Sequence, residues 1–405
     1  MVKLIHKKMN HKTGKSGNTH FSSTSGRFLV ILCLAFFVLQ SCGNLEEHAL
    51  NEYDGALNWQ QITKKAEWNK RWDHEVAVLN DELYLVGGYN QGQFNGDPYF
   101  EDVWKSTNGE NWTQIVDNAP WLGRRGHSLI TFNDGTGDAL YLIGGFSVNE
   151  ETGVRAYNND VWKSADGASW TEIKMNNEVG VKDTTDWVAR MNHKCVVANH
   201  GGQDYIYLVG GSTMLTGIEG RYAIKYTNDV WRSTNGIDWE NVGITDYGIR
   251  AEHAMVVDAN GTIYLQGGQH GLIFESADSS LDPVRNYDYL WQSTDGKTWT
   301  SSSDPVIQEA GFLARTGHDM IFYRDKIWTL SGKTNSLEHF LFTNPNHYPT
   351  WTIAANGSWE VDSYGTAIDA RHNYASVVWQ DRIWVFGGNT NKNGQDNDIW
   401  AGSLN

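Results

Sequence analysis

The sequence predicts an all-β fold, a β-propeller of six four-stranded blades, on three observations. A phrase repeats: Asp229-Val-Trp231-Arg-Ser-Thr-Asn235-Gly236-Ile-Asp-Trp239 recurs around Trp104 and Trp112, Trp162 and Trp170, Trp291 and Trp299, and more loosely Trp351 and Trp359. Upstream of each copy an aromatic-apolar run ends in Gly-Gly, as in Leu83–Gly88, Leu140–Gly145, Ile206–Gly211, Ile263–Gly268 and Ile383–Gly388; Ile327–Gly332 carries Ser331 in place of the first glycine. The steps between these Gly-Gly pairs are 57, 66, 57, 64 and 56 residues, the spacing of a repeated supersecondary unit whose connections vary in length.

Each unit opens on Arg-x-x-His: Arg71 with His74, Arg124 with His127, Arg190 with His193, Arg250 with His253 and Arg315 with His318, and in the sixth Arg371 with Tyr374. A first strand follows that is apolar without alternation, as in Val76–Leu79 and Cys195–Ala198, the pattern of a strand buried on both sides between neighbours. After a short polar turn comes the second strand, ending in Gly-Gly. The repeated phrase supplies the last two strands: Val-Trp-Lys/Arg-Ser, a turn at Asn108-Gly109, Asp166-Gly167, Asn235-Gly236 or Asp295-Gly296, and a return strand begun by the second Trp. Four strands per unit is the organisation of propeller blades. The sixth unit reaches Trp400 and stops at Asn405 without its fourth strand, whereas Leu57-Asn-Trp59-Gln-Gln-Ile62 matches that strand and precedes unit one. The sequence therefore predicts that this segment closes the ring on the last blade and removes its open edges.

Arg-x-x-His, an aromatic three residues before Gly-Gly, then Asp-Val-Trp and a later Trp resemble kelch-type repeats of the galactose-oxidase central-domain kind. The Ser-x-Asp/Asn-Gly-x-x-Trp turn is similar to a shortened Asp-box hairpin. The resemblance covers residues 57–405 and implies an architecture; propellers host many unrelated activities, so it does not imply a function.

Residues 1–41 read as a lipoprotein signal peptide. Six basic residues precede a short apolar run, Phe28 to Leu39, and Leu39-Gln40-Ser41-Cys42-Gly43 resembles a bacterial lipobox. The expectation is cleavage before Cys42, lipid attachment to it, a polar tether over residues 42–56, and an outer-membrane location on the cell envelope. Removing residues 1–41 takes six of the 32 basic residues and none of the 48 acidic ones, which leaves a net charge of −22. That surface argues against nucleic acid as a partner. Of the cysteines Cys33, Cys42 and Cys195, only Cys195 then stays free, in an apolar strand where a buried structural thiol is expected. No metal-ligand spacing is present and no cofactor is implied.

Strand alternation separates two faces. Short turns lie on one, the hairpin face. The long connections, Tyr89–Glu101, Phe146–Asn159, Ser212–Asn228, Gln269–Tyr287 and Lys333–Pro349, lie on the other, the loop face, with the Arg-x-x-His segments. Sites concentrate in long ordered loops on rigid scaffolds. A pair present in nearly every unit is most simply part of the unit, so candidate ligand-binding residues are departures from the repeat: Arg155, Tyr157, Arg221, Tyr222, Tyr226, His270, Arg285 and Tyr287. Aromatic rings beside arginines suit sugars, stacking on the pyranose and reading hydroxyls or a carboxylate. The leading reading is an envelope lipoprotein that binds or handles carbohydrate on this face, with a glycan or polysaccharide as partner and the membrane reached through Cys42. Alternatives are a propeller enzyme acting on acidic sugars, a lyase or a mutarotase/epimerase, and a scaffold for a protein partner.

Overall fold

A computed structural model describes residues 57–404, except 93–97, 150–151, 178–184, 219–220, 245–246, 271–272, 275–284, 287–289, 302–313, 334–349, 354–358, 364–367 and 391–392. Cys42 and the signal segment lie outside the described residues. Gly55–Asn405 forms one compact unit. It is a β-propeller fold in which the described residues hold strands and no helix.

Among the described residues six sheets have four or five antiparallel strands, one per sequence unit. Unit 1 is built from Glu75–Leu79, Glu82–Val86, Val103–Ser106 and Thr113–Val116, paired in that order. Units 2 to 5 repeat this, beginning at Ser128–Asn133, Lys194–His200, Ala254–Val257 and Asp319–Tyr323. In unit 6, Ala375–Trp379, Arg382–Thr390 and Gly394–Ser403 are completed by Asn58–Thr63, which pairs with Gly394–Ser403 so that Trp59 faces Gly402 and Gln61 faces Trp400. The first strands lie side by side in sequence order, and those of units 6 and 1 are also neighbours.

A backbone ring runs through the same six units on the loop face. Asn373 N–H donates to Gly317 O, Gly317 to Glu252, Glu252 to Asn192, Asn192 to Gly126, Gly126 to Asp73, and Asp73 back to Asn373 O, at 2.7–3.2 Å. Each hydrophobic cluster joins two consecutive units: Leu83 and Leu85 of unit 1 meet Trp384 and Phe386 of unit 6, and Ile206 and Leu208 of unit 3 meet Tyr141 and Ile143 of unit 2. The core is thus distributed between sheets and held at their inner edges by the backbone ring.

The repeated arginines are part of this frame. Arg71, Arg124, Arg190 and Arg371 are buried and bind the carboxylate of Asp102, Asp160, Asp229 and Asp398 with two nitrogens each, at 2.6–2.9 Å. Each also donates to the carbonyl of the first glycine of Gly-Gly in its unit, Gly87, Gly144, Gly210 and Gly387. The indole N–H of the following tryptophan donates to the same carboxylate, as Trp231 does to Asp229 at 2.8 Å. Burial pushes the Asp229 carboxyl up, but Arg190 and these hydrogen bonds win and hold it at about 2. Asp-Val-Trp and Arg-x-x-His are therefore two halves of one clamp.

The turns behave as their residues predict. Ser164 Oγ accepts from Gly167 N at 2.8 Å, Asp166 Oδ1 accepts from Ala168 N and Ser169 N, and Trp170 Nε1 donates to Gly167 O. Gly167 has a left-handed φ of 73° and lies against the ring of Tyr84 in the preceding unit. Gly236 rests on Tyr141, Gly296 on Tyr207 and Gly109 on Trp384 in the same way. That contact accounts for the aromatic residue three places before Gly-Gly in units 1, 2, 3 and 6.

One sequence expectation changes. The connection Phe146–Asn159 is part of two long strands, Asp138–Asn149 and Val154–Ser164, and Ser212–Ile218 pairs with Arg221–Tyr226. The apolar-polar alternation of the first pair (Phe146-Ser-Val-Asn149, Val154-Arg-Ala-Tyr157) suits a ribbon that continues blade strands, while the second pair forms a separate sheet with Ile273–Phe274.

Candidate functional site at the loop-face mouth

The two middle residues of each Arg-x-x-His segment surround the loop-face end of the axis. The second of them makes the backbone ring, in the order Asp73, Gly126, Asn192, Glu252, Gly317 and Asn373. All six have left-handed φ between 53° and 61°. Glycine adopts this freely; in Asp73, Asn192, Glu252 and Asn373 it costs about 1 kcal/mol each. Strain of this kind persists where the surroundings impose it, and it clusters at sites.

The six residues form two similar triplets. A Cβ on Gly126 would lie 2.3 Å from Asn192 Oδ1, and one on Gly317 would lie 2.4 Å from Asn373 Oδ1. Each asparagine therefore folds over the glycine before it and reaches the carboxylate after it. Asn192 Nδ2 donates to Glu252 Oε1 at 3.2 Å, and Asn373 Nδ2 donates to Asp73 Oδ1. Thr316 Oγ1 donates to the other Glu252 oxygen at 2.9 Å. Asp73 and Glu252 are three places apart in the order of six and so stand across the axis from each other. A cavity of about 50 Å³ lies between these residues and the histidine ring.

Basic and aromatic groups flank one carboxylate. Arg125 Nη1 is 3.5 Å from Asp73 Oδ2. Its guanidinium lies 5.2 Å from the Trp72 ring, 5.0 Å from Tyr89 and 5.9 Å from Phe146. The rings run on from Trp72 to Tyr89, Tyr99, Phe146 and Tyr157, with centroids 4.8–5.9 Å apart. Trp72 also meets His372 edge-on. Burial raises the Asp73 carboxyl to about 6, with Glu252 adding to the effect, against the pull of Arg125, Asn373 and Lys333. Burial lowers His372, opposed by its bond to Asn373. The mouth thus offers a carboxyl that titrates near neutrality, a second carboxylate opposite, a guanidinium held over aromatic faces, and amide donors. Among the described residues no group of three or more His, Cys, Asp and Glu side chains is placed to hold a metal.

Beneath the mouth the histidine ring is structural. His74, His127, His193, His253 and His318 are buried, and none of their ring nitrogens makes a well-formed hydrogen bond among the described residues. Backbone groups of Phe386, Val86 and Ile143 lie near enough to His74, His127 and His193 to favour protonation, but burial and the adjacent arginines outweigh them. His127 and His193 fall to about 3, and burial with a neighbouring arginine takes the other three well below the ordinary range. Tyr374 fills the sixth place; its hydroxyl donates to Leu330 O and accepts from Asp319 N. Cys195 is buried, and burial pushes its thiol up to about 12, as expected of a structural cysteine.

The structure brings some of the sequence candidates to this region. Tyr157 ends the aromatic chain, and buried Tyr226, pushed up to about 12 by burial, feels the charge of Glu252 and lies near Tyr157. Arg155 is exposed on the ribbon, its backbone opposite Val148. His270 faces Arg285 across a two-residue strand pair. The side chains of Arg221, Tyr222 and Arg285, and the whole of Tyr287, lie outside the described residues. Sequence reasoning missed Trp72, Asp73, Arg125, Asn192, Glu252, His372 and Asn373. The available signal was the contrast inside Arg-x-x-His, whose ends repeat while the middle pair differs in every unit.

No family model matches the chain, and no curated protein matches it. Among solved structures it is similar to the structure of YjhT, with 16% identity and a TM-score of 0.55 over 84% of this chain and 96% of that one. At that identity the likeness concerns the fold alone, and by fold this chain is a β-propeller.

Proposed function

We propose that this chain is an envelope-anchored lipoprotein whose propeller, six kelch-type blades in a closed ring, binds carbohydrate at the loop-face mouth. The ring reading rests on the six sheets, the pairing of Asn58–Thr63 with the last of them, and the backbone bonds that return from Asp73 to Asn373. The anchor reading rests on the lipobox-like Leu39–Gly43 and places the lipid on Cys42. The sugar reading is carried by one observation: half-buried Trp72 and Tyr89 stand beside Arg125 and Asp73 at the rim of the axis. Such rings offer apolar faces to a pyranose, while Arg125 and the asparagines supply donors for hydroxyls or a carboxylate.

A glycan-array screen of the chain from residue 43, including acidic and sulfated polysaccharides, tests this. Selective binding that falls at least about tenfold in Trp72→Ala and Arg125→Ala supports the reading, since a stacked ring or a charge-assisted hydrogen bond contributes about 1–3 kcal/mol. Absence of binding to every glycan rejects it and moves the search to a protein partner.

A second reading, an enzyme on acidic sugars, is favoured by the carboxyl pair. Asp73 titrates near neutrality opposite Glu252, a placement suited to proton transfer on two sides of one substrate, with Arg125 to neutralise a carboxylate. Product analysis on any glycan that binds separates the readings: turnover lost in Asp73→Asn with binding kept marks an enzyme.

A further inference from the structure

The residues that follow the ring histidines and Tyr374 alternate in size around the axis: Glu75, Ser128, Lys194, Ala254, Asp319 and Ala375. The long charged ones come from units 1, 3 and 5 and the small ones from the units between. Lys194 Nζ lies 3.3 Å from Glu75 Oε1 and 3.8 Å from Asp319 Oδ1, and Ser376 Oγ donates to Asp319 Oδ2 at 2.6 Å. Glu75 and Lys194 face both the small mouth cavity and a larger space on the hairpin side. That well has a volume of about 470 Å³. Its walls take one apolar residue or more from every unit, among them Val78, Ile130, Val197, Val257, Phe322 and Val377.

The frame does not require charges here, since units 4 and 6 place alanine at this level. Placing three at this depth, Asp319 buried and Glu75 and Lys194 half-buried, costs desolvation energy that only a compensating interaction recovers. When all are ionised the floor carries a net charge of one negative, because a single lysine faces two carboxylates. The volume falls in the range of small-molecule pockets, roughly 300–1,000 Å³. We infer that this axial well is a second binding site, separate from the mouth, for a small organic ammonium: its cationic head would donate to Glu75 beside Lys194, and its apolar body would lie along the valine-rich wall. The floor would then be electrically balanced. The unliganded state of Glu75 agrees, since burial and the nearby Asp319 push its carboxyl up to about 7 in spite of Lys194.

The test compares three probes of one shape, n-hexylammonium, 1-hexanol and hexanoate, by calorimetry at pH 8 on residues 55–405, which contain every strand and core cluster described. Hexylammonium is expected to bind at least about tenfold tighter than hexanol, equal to about 1.4 kcal/mol, and hexanoate to bind weakest. Glu75→Gln, nearly isosteric, should remove that preference, and Val257→Phe, which fills the well, should weaken hexylammonium by a similar factor. Equal binding of the three probes, no hexylammonium binding at about 10 mM, or a preference that survives Glu75→Gln would each overturn the inference.

Discussion

Lowering the pH from 7.5 to 5.5 should destabilise this fold steeply, and the five buried histidines are the reason. Their folded values lie far below the ordinary one, at about 3 for His127 and His193. A base whose value is depressed by folding contributes stability that is complete above its unfolded value, about 6.5, and is lost as pH falls below it. At pH 5.5 each unfolded histidine holds nearly one proton that the folded one refuses, a loss of a little over 1 kcal/mol per residue and about 7 kcal/mol for five. Two carboxyls oppose this. Glu75 at about 7 and Asp73 at about 6 are raised by folding, so they favour the folded state as pH falls. Over the same interval they return about 2 and 1 kcal/mol. The net loss of about 4 kcal/mol is a large share of the 5–15 kcal/mol that holds a typical domain. Denaturant unfolding at pH 7.5, 6.5 and 5.5, read from the fluorescence of the 19 tryptophans, measures it. His318→Gln should reduce the pH slope near 5.5 by about one proton, or 1.4 kcal/mol per pH unit. Equal or greater stability at pH 5.5 would refute the reasoning, because the histidines would then be protonated within the fold.

Other variants test the frame by thermal and denaturant unfolding. Asp229→Asn leaves the buried Arg190 guanidinium without its carboxylate and should cost about 3–5 kcal/mol, whereas Asp381→Asn, which breaks the exposed pair with Arg324, should leave the melting temperature unchanged. Gly167→Ala combines a left-handed φ with a Cβ 2.3 Å from Tyr84 Cε1 and should cost about 2–4 kcal/mol. Gly201→Ala, with a similar φ of 67° and nothing within 4 Å, should cost only the backbone strain, about 1 kcal/mol. A like cost for the two glycines would show that turn-on-ring packing contributes nothing.

The repeat was legible because each unit states it in local terms. Asn-Gly and Asp-Gly turns, the non-alternating first strand and the orphaned Trp59 segment all act within or between adjacent strands, and single-sequence patterns report such relations. The Arg–Asp clamp was half legible. Its members recur with Arg and Asp-Val-Trp, but they are 27 to 39 residues apart, and nothing in the spacing says that they meet. In units 4 and 5 the arginines keep the bond to the carbonyl at the end of the second strand, Arg250 to Gly267 O and Arg315 to Ser331 O. The ribbons read as loops in the sequence because their alternation is short.

The mouth was hidden for a different reason. Its residues come from six segments that are distant in sequence, and each segment reads as a whole as part of the structural frame. The structure divides them: in every Arg-x-x-His the outer residues are buried in the frame, the arginine against its own unit, while the ring-forming residue lies at the axis. A repeat must conserve what packs on the next repeat and is free to vary what faces a shared centre, because only there do all units see one another. Asp73 and Glu252 stand opposite, Gly126 and Gly317 yield space to Asn192 and Asn373, and the charged floor of Glu75, Lys194 and Asp319 follows one residue past the ring histidines. Variation at positions that the frame aims at its axis is therefore the sequence feature on which the proposed site rests. A double-mutant cycle between Asp73→Asn and Glu252→Gln on glycan affinity checks this. Non-additive losses would show that both carboxyls address one ligand across the axis, and strict additivity would place the site to one side, on the Trp72–Tyr89 rim alone.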